Sequence, residues 1–235
     1  MIEIKGLLES SLIEWEGKIA AVVFLPNCNF RCPWCHVPDL AFEPERLETI
    51  SFSHLKRLAK TQQGWLDGVV ISGGEPTTHR KLPQFIEKVR KLGLPVKLET
   101  NGNYPALLRT LIAEKLIASV AMDIKNRVDA GQTLYDKSCG VKVDIGKIKE
   151  SISLLVESGI DCEFRTTVVP GFVDEEDVKK IAELISPLTK KYILQQFSPQ
   201  HAFKKELRET IPYSPEVITK MVASVRSLIP EVSSR

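Results

Sequence analysis

Short apolar runs alternate along this chain with longer stretches in which apolar residues recur every three or four positions. The short runs are rich in valine and isoleucine and predict buried strands, whereas the longer spacing predicts amphipathic helices. Buried strands joined by helices form parallel sheets with right-handed crossovers. The pattern predicts an α/β chain, a partial (β/α)6 TIM-like barrel of parallel strands in a single domain over residues 1–235. Its six strands are expected at residues 19–25, 68–72, 95–99, 119–123, 161–168 and 191–196.

Several helix ends can be predicted from single residues. Gly93 and Gly159 each follow a helical pattern, and a glycine in the left-handed conformation commonly ends a helix. Asp174 is expected to begin the fifth helix. Ser214 followed by Pro215 is a typical start for the sixth, because serine caps the free amides and proline suits the first helical position.

Two connections are longer than the others, residues 26–50 after the first strand and residues 124–144 after the fourth. Long connections inside an α/β chain usually have a function. Each predicted strand is also followed at its carboxyl end by a polar or glycine-rich segment. Active sites of parallel α/β barrels lie at these carboxyl ends, so we expect the site there.

The composition is that of an ordinary folded protein, with 235 residues, 43% of them hydrophobic, and a formal charge of +2. This balance gives no electrostatic reason to expect a nucleic-acid partner. No apolar run approaches the ~20 residues of a membrane span, and the first residues lack the pattern of a signal peptide. We therefore expect a cytoplasmic protein without a membrane partner.

Three of the five cysteines, Cys28, Cys32 and Cys35, fall within eight residues. An odd number grouped in this way does not indicate a disulfide framework. Thiolates bind zinc, copper(I) or iron–sulfur clusters. A structural zinc site needs a fourth ligand, and the adjacent His36 is the only close candidate. Three ligands on a four-iron cluster would leave one iron open, as in catalytic centres. The spacing favours a cluster and leaves zinc as the alternative.

The end of the second strand carries Gly73, Gly74 and Glu75. The glycines allow backbone to approach a ligand closely, and the carboxylate suits a cationic amine. A simple strand-to-helix turn would account for the same residues.

Charged residues also mark the ends of the fourth and fifth strands. Asp123 and Lys125 are two positions apart in a strand, so their side chains lie on the same face. They could line a cavity, or they could form an internal ion pair or a pair at the barrel rim. Arg165 is a candidate clamp for a carboxylate, which its planar guanidinium can bind through two hydrogen bonds.

Together these segments resemble a known family. The Cys-x3-Cys-x2-Cys motif with an aromatic residue before its last cysteine, followed by Gly-Gly-Glu-Pro, resembles the radical S-adenosylmethionine (SAM) enzymes. The resemblance covers nearly the whole chain. Residues 28–36, 99–102, 123–125 and 165–171 are most similar to the glycyl-radical-enzyme activases, in particular those of anaerobic ribonucleoside-triphosphate reductases.

The resemblance implies a [4Fe-4S] cluster on Cys28, Cys32 and Cys35, with the amino and carboxylate groups of SAM on the fourth iron. It also implies roles for other residues around SAM. These are Gly73, Gly74 and Glu75 at its amino group, Trp34 near the adenine, Lys125 and Arg165 near its carboxylate and ribose, and Glu99, Thr100 and Asp123 around a monovalent cation.

The implied chemistry is reductive cleavage of SAM to a 5′-deoxyadenosyl radical, which takes a hydrogen from a glycine of a partner enzyme. No side chain is expected to act as a general acid or base. The expected partners are a glycyl radical enzyme, with anaerobic ribonucleotide reductase favoured, and a flavodoxin- or ferredoxin-type electron donor.

Three alternatives remain at this point. The chain could activate pyruvate formate-lyase, or it could act on a small molecule, as a 7-carboxy-7-deazaguanine synthase does. It could also be a zinc or iron–sulfur binding module without catalysis, although that would leave the residues at the other strand ends without a use. Cys162 is expected to be a small buried apolar residue, and Cys139 a free thiol.

Overall fold

The computed structural model describes residues 2–129, 132–187, 189 and 191–235, which divide into two compact units. The first unit comprises the chain up to Asn29 together with Asp39–Thr100 and Ala106–Val120. The second comprises Phe30–Pro38, Asn101–Pro105 and the chain from Ala121 onwards.

The first unit is built on a sheet of antiparallel and parallel strands. Strand β1 pairs antiparallel with β2, and β2, β3 and β4 then pair in parallel, in chain order. The parallel register places Leu25 opposite Gly73 at the carboxyl ends of β2 and β3. These strands are β1 (Gly6–Ser11), β2 (Ala20–Leu25), β3 (Gly68–Gly73) and β4 (Val96–Thr100).

In the second unit β6, β7 and β8 pair in parallel, again in chain order. The division between the units falls inside β5, after Val120. Residue Ile124, which follows β5, donates its amide to the carbonyl of Arg165 on β6 at 2.8 Å. The strands are β5 (Ser119–Asp123), β6 (Asp161–Val168), β7 (Lys191–Gln196) and β8 (Glu231–Ser234).

Helices separate the parallel strands and bury the apolar positions that the periodicity identifies. In α3 these are Leu82, Phe85, Ile86 and Val89, all buried. The helices are α1 (Pro38–Phe42), α2 (Phe52–Thr61), α3 (Leu82–Arg90), α4 (Pro105–Ala113), α5 (Gln132–Cys139), α6 (Ile145–Glu157), α7 (Glu175–Ile185) and α8 (Pro215–Val225). None of the helices in the described ranges is long and apolar enough to cross a membrane.

The predicted helix ends agree with the structure. Gly93 and Gly159 have φ values of +85° and +67°, in the left-handed region. Asp174 caps α7 in a reciprocal capping box with Asp177. Ser214 caps α8, which begins at Pro215.

All six predicted strands are present, with bounds that agree to within one residue. Strands β1 and β8 are additional. Neither has the buried apolar run on which the prediction depends, since β1 reads GLLESS with half of its residues exposed and β8 reads EVSS. The long connection at 124–144 contains a further helix, α5, which has only a weak apolar periodicity.

Candidate active site

In the first unit, backbone hydrogen bonds fix the chain that leads into Cys28. Asn27 adopts a left-handed conformation with φ of +68°, which turns the chain after β2. The amides of Asn27 and Cys28 donate to the carbonyls of Leu40 and Ala41 in α1, at 3.0 and 3.1 Å. The first cysteine of the motif therefore has a fixed backbone position.

Gly73 and Gly74 pack directly against this segment. A Cβ atom on Gly73 would lie 2.3 Å from the carbonyl oxygen of Leu25, and one on Gly74 would lie 2.0 Å from that of Asn27. The amide of Gly74 donates to Leu25 at 2.9 Å, and that of Glu75 donates to Asn27 at 2.7 Å. Within the unit, the two glycines thus allow the end of β3 to hold the residues just before Cys28.

Glu75 is 1% exposed, and one of its carboxylate oxygens accepts three hydrogen bonds. Its Oε1 accepts hydrogen bonds from the Thr77 amide at 3.0 Å, from the Thr77 hydroxyl, and from the Thr100 hydroxyl at 2.8 Å. Ser72 Oγ donates to Glu99 Oε2 at 2.6 Å. Glu75 comes two residues after β3, and Glu99 and Thr100 are the last two residues of β4, so all three lie at the carboxyl ends of these strands, as the motif positions predict.

In the second unit, Cys32 and Cys35 lie on a tight turn. The amide of Cys35 donates to the carbonyl of Cys32 at 3.0 Å. Trp34 between them is 5% exposed, and its ring meets that of Phe172 edge-on with centroids 5.1 Å apart. Burial raises the pKa of the Cys35 thiol. The amide of Lys204 donates to the carbonyl of Pro33 at 2.9 Å, which ties the turn to the segment after β7.

A feature that the sequence prediction missed is the contact between Cys32 and Cys139. The thiol of Cys139 donates a hydrogen bond to the sulfur of Cys32, and this bond lowers the pKa of Cys32. Burial raises the pKa of Cys139. The backbone supports the contact, because the Arg31 amide donates to the Cys139 carbonyl at 2.8 Å. At Gly140, with φ of +66°, a Cβ atom would lie 2.1 Å from the Arg31 carbonyl oxygen.

Helix α5 owes its position to a buried polar network after β5. The Asn126 side chain is fully buried and donates to Ser138 Oγ at 2.9 Å and to the Phe172 carbonyl at 2.8 Å. The Tyr135 hydroxyl accepts from the Lys125 amide at 3.4 Å. The network therefore fixes the helix that carries Cys139.

Asp123 and Lys125 form an ion pair, with Nζ and Oδ2 2.8 Å apart. Burial by itself would lower the pKa of Lys125, but Asp123 and the sulfur of Cys32 outweigh it and raise that pKa. Of the arrangements considered for these residues, an ion pair is present. The lysine side chain retains 16% exposure and the aspartate 34%.

Arg165 lies on β6 with 3% exposure and is paired with Glu163. The guanidinium Nε donates to Glu163 Oε1 at 2.7 Å, while Lys191 Nζ lies 3.6 Å from Glu163 Oε2. Glu163 is a further charged residue that the sequence prediction missed. Its position two residues before Arg165, on the same face of β6, is the signal that could have identified it.

The candidate residues are divided between the two units. The first unit contains Cys28, Gly73, Gly74, Glu75, Glu99 and Thr100, and the second contains Cys32, Trp34, Cys35, Asp123, Lys125 and Arg165. Within the described ranges, no three His, Cys, Asp or Glu side chains are grouped to hold a single metal ion. A four-iron cluster is a different case, because each cysteine binds its own iron.

Comparison with known proteins identifies the family. The sequence model of the radical SAM superfamily matches residues 22–185. A protein of Methanocaldococcus jannaschii that is named as a glycyl-radical enzyme activating enzyme is 34% identical over 210 residues, which cover 88% of this chain and 84% of that protein. The 7-carboxy-7-deazaguanine synthase of Aquifex aeolicus is 34% identical over 108 residues, which cover 43% of this chain and 46% of the synthase.

The crystal structure of Streptococcus suis SuiB is similar with a TM-score of 0.69 at 14% identity, and the match covers 89% of this chain and 47% of the SuiB chain. The chain thus spans about half of the length of SuiB, and at this identity the likeness concerns the fold. The predicted fold class, an α/β chain built on parallel strands, is confirmed. Membership in this superfamily implies a [4Fe-4S] cluster and SAM as cofactors. Since the family match covers more than half of the chain, the protein belongs to the radical SAM superfamily of enzymes.

Proposed function

We propose that the protein is an activating enzyme that cleaves SAM reductively and generates a glycyl radical on a partner enzyme. The observation that carries this proposal is the extent of the similarity to the activating-enzyme relative of Methanocaldococcus jannaschii, 34% identity over 88% of the chain. The similarity to the deazaguanine synthase is as high in identity but covers 43% of the chain. An activase function therefore accounts for more of the sequence.

Cys28, Cys32 and Cys35 are proposed to hold the [4Fe-4S] cluster. The donor set fits this group, because three thiols on one short segment are soft ligands of the kind that iron–sulfur clusters take. When bound, the cluster supplies the electron that cleaves SAM to a 5′-deoxyadenosyl radical. The chain's own contribution is to fix the backbone before Cys28 and the turn between Cys32 and Cys35.

The residues at the strand ends are proposed to bind SAM. Glu75 is held rigid by Thr77 and Thr100, so its carboxylate is preorganised to receive an amino group. Lys125 and Arg165 supply positive charge for the carboxylate and N–H donors for the ribose hydroxyls. Both are already paired, with Asp123 and Glu163, so they are held in place before a ligand arrives.

Trp34, Gly73 and Gly74 complete the proposed set of SAM-binding residues, and Glu99, Thr100 and Asp123 are proposed to surround a monovalent cation. The partner is proposed to be an anaerobic ribonucleotide reductase, with a flavodoxin- or ferredoxin-type electron donor. We further propose that residues 1–235 work as a single radical SAM domain in the cytoplasm. The match to the superfamily over residues 22–185, which includes parts of both compact units, supports the single domain.

The first experiment tests SAM cleavage. The protein is reconstituted anaerobically with iron and sulfide, supplied with dithionite and SAM, and assayed for 5′-deoxyadenosine. Wild type and Cys162→Ala are expected to form the product, whereas Cys32→Ala is expected to lose both the cluster absorption and the product. Cys162 is a suitable control because it lies on β6 outside the proposed ligand set. Binding of one zinc ion without product, or full activity of Cys32→Ala, would contradict the proposal.

A second experiment tests the partner. The reduced protein and SAM are incubated with the anaerobic ribonucleotide reductase of the same organism, and the mixture is examined by electron paramagnetic resonance. A glycyl radical signal on the reductase is expected. If 5′-deoxyadenosine forms without such a signal, pyruvate formate-lyase and then small molecules of the deazaguanine type become the substrates to examine.

A further inference from the structure

Cys139 has no part in the proposed function, but it lies against Cys32, one of the proposed cluster ligands. It is fully buried in the last turn of α5, and its thiol is hydrogen-bonded to the sulfur of Cys32. Two backbone features hold the pair together, the bond from the Arg31 amide to the Cys139 carbonyl and the close passage of Gly140 against Arg31. Two thiols fixed against each other in this way are arranged for oxidation to a disulfide.

A competing pair is suggested by the sequence, since Cys32 and Cys35 form a Cys-x-x-Cys motif, which in other proteins often forms a disulfide. The structure distinguishes the two pairs. The Arg31 amide donates to the Cys139 carbonyl at 2.8 Å, which holds Cys139 beside the residue that precedes Cys32, and the Cys139 thiol is hydrogen-bonded to the Cys32 sulfur. The Cys35 sulfur is instead hydrogen-bonded to the backbone of Val37. Cys139 is thus the better placed partner, although it is 107 residues away in the chain, the difference between the two residue numbers.

We propose that Cys32 and Cys139 form a reversible disulfide when the chain lacks its cluster and meets hydrogen peroxide. The proposal rests on the assignment of Cys32 as a cluster ligand. Of the two residues of the pair, Cys32 is the more exposed, at 8% against 0% for Cys139, so Cys32 is the one that peroxide oxidises. Its thiol and one peroxide molecule give a sulfenic acid and water. The Cys139 thiol then displaces hydroxide from that sulfur, which forms the S–S bond and releases a second water.

The disulfide has two consequences for the enzyme. It removes the Cys32 sulfur from the ligand set, so a cluster cannot be rebuilt until a dithiol reductant reopens the bond. It also stops the oxidation of Cys32 at a reversible stage, before the sulfinic and sulfonic acids. Cys139 would thus allow a chain that has lost its cluster to be recovered after oxidation.

The test uses the full chain, stripped of iron under reducing conditions and then treated with one equivalent of hydrogen peroxide without air. About two thiols per chain should be lost to alkylation. Trypsin should release residues 32–46 linked to residues 138–142. Because the first peptide also contains Cys35, the same digest of a Cys35→Ala variant assigns the sulfur to Cys32.

Cys139→Ala and Cys162→Ala are the matched variants, since each removes one thiol outside the motif. Cys162→Ala should give the linked peptide, and Cys139→Ala should not. After peroxide, wild type should bind iron and sulfide only once dithiothreitol has been added. A Cys32–Cys35 bond as the main product in wild type, or no loss of thiols, would overturn the proposal.

The peptide map also separates this proposal from the proposed function. A chain that forms the Cys32–Cys139 bond but yields no 5′-deoxyadenosine after reconstitution would contradict the activase function alone. A chain that yields 5′-deoxyadenosine but links Cys32 to Cys35 would contradict the disulfide alone.

Discussion

At the scale of single residues, the cysteine motif depends on neighbours that are distant in sequence. Gly73 and Gly74 follow β3, yet their lack of a side chain is needed beside Leu25 and Asn27. A side chain at either position would be destabilising, because the Leu25 and Asn27 carbonyls each accept a backbone hydrogen bond and have little freedom to move. The Gly-Gly pair therefore has a structural role whatever it contributes to SAM binding.

Gly74→Ala should lower the free energy of unfolding by about 1–3 kcal/mol, because the new Cβ would be forced against the Asn27 carbonyl. Denaturant unfolding of the iron-free chain measures the change. Gly159→Ala is the control. A Cβ atom at residue 159 would meet nothing within 4 Å, so the control variant has only the strain of a left-handed φ, which costs about 1 kcal/mol. The packing role would be wrong if Gly74→Ala were no more destabilising than this control.

At the scale of elements, α5 is the part of the site that a strand–helix pattern does not reveal. Its buried face carries Tyr135, Ser138 and Cys139 rather than an apolar stripe. Hydrogen bonds from Asn126 and the contact with Cys32 hold it, so its stability depends on tertiary contacts more than on its own sequence.

Asn126→Asp should loosen α5. The substitution keeps the size of the side chain but replaces the donor to the Phe172 carbonyl with an oxygen, at a cost of about 3 kcal/mol for a buried group left without its partner. Hydrogen exchange of residues 132–139 should become faster, and the melting temperature should fall. Gln63→Glu, the corresponding change at an exposed position, should alter neither. Unchanged exchange in Asn126→Asp would contradict the role of this network.

At the scale of the whole molecule, the proposed cofactor residues extend from Cys28 to Arg165 and lie in, or shortly after, five different strands. A ligand that needs residues so far apart in sequence binds the folded chain and not the unfolded one. By linkage, such a ligand increases the free energy of unfolding.

SAM at a hundred times its dissociation constant should therefore stabilise the cluster-loaded protein by about 2.7 kcal/mol. Anaerobic thermal unfolding with and without SAM measures the effect. Cys32→Ala, which is expected to lack the cluster, should respond much less. An equal shift in both proteins would mean that SAM binds independently of the proposed cluster ligands.

Much of the fold follows from local pattern. The six central strands, the ends of α3 and α6 and the caps of α7 and α8 agree with prediction, because apolar periodicity and capping residues act within a few positions of the chain. Strands β1 and β8 were not predicted, because they have no apolar run and are strands by virtue of their pairing with β2 and β7.

The sequence by itself determined the alternation of strands and helices, the family, and the chemical types of side chain at the strand ends. These depend on residue type and spacing, which can be read along the chain. Only the tertiary structure decided that Glu163 pairs with Arg165, that the Gly-Gly pair supports the backbone before Cys28, and that Cys139 contacts Cys32. Such contacts depend on how distant segments pack, and burial then sets the strength of each charge and hydrogen bond.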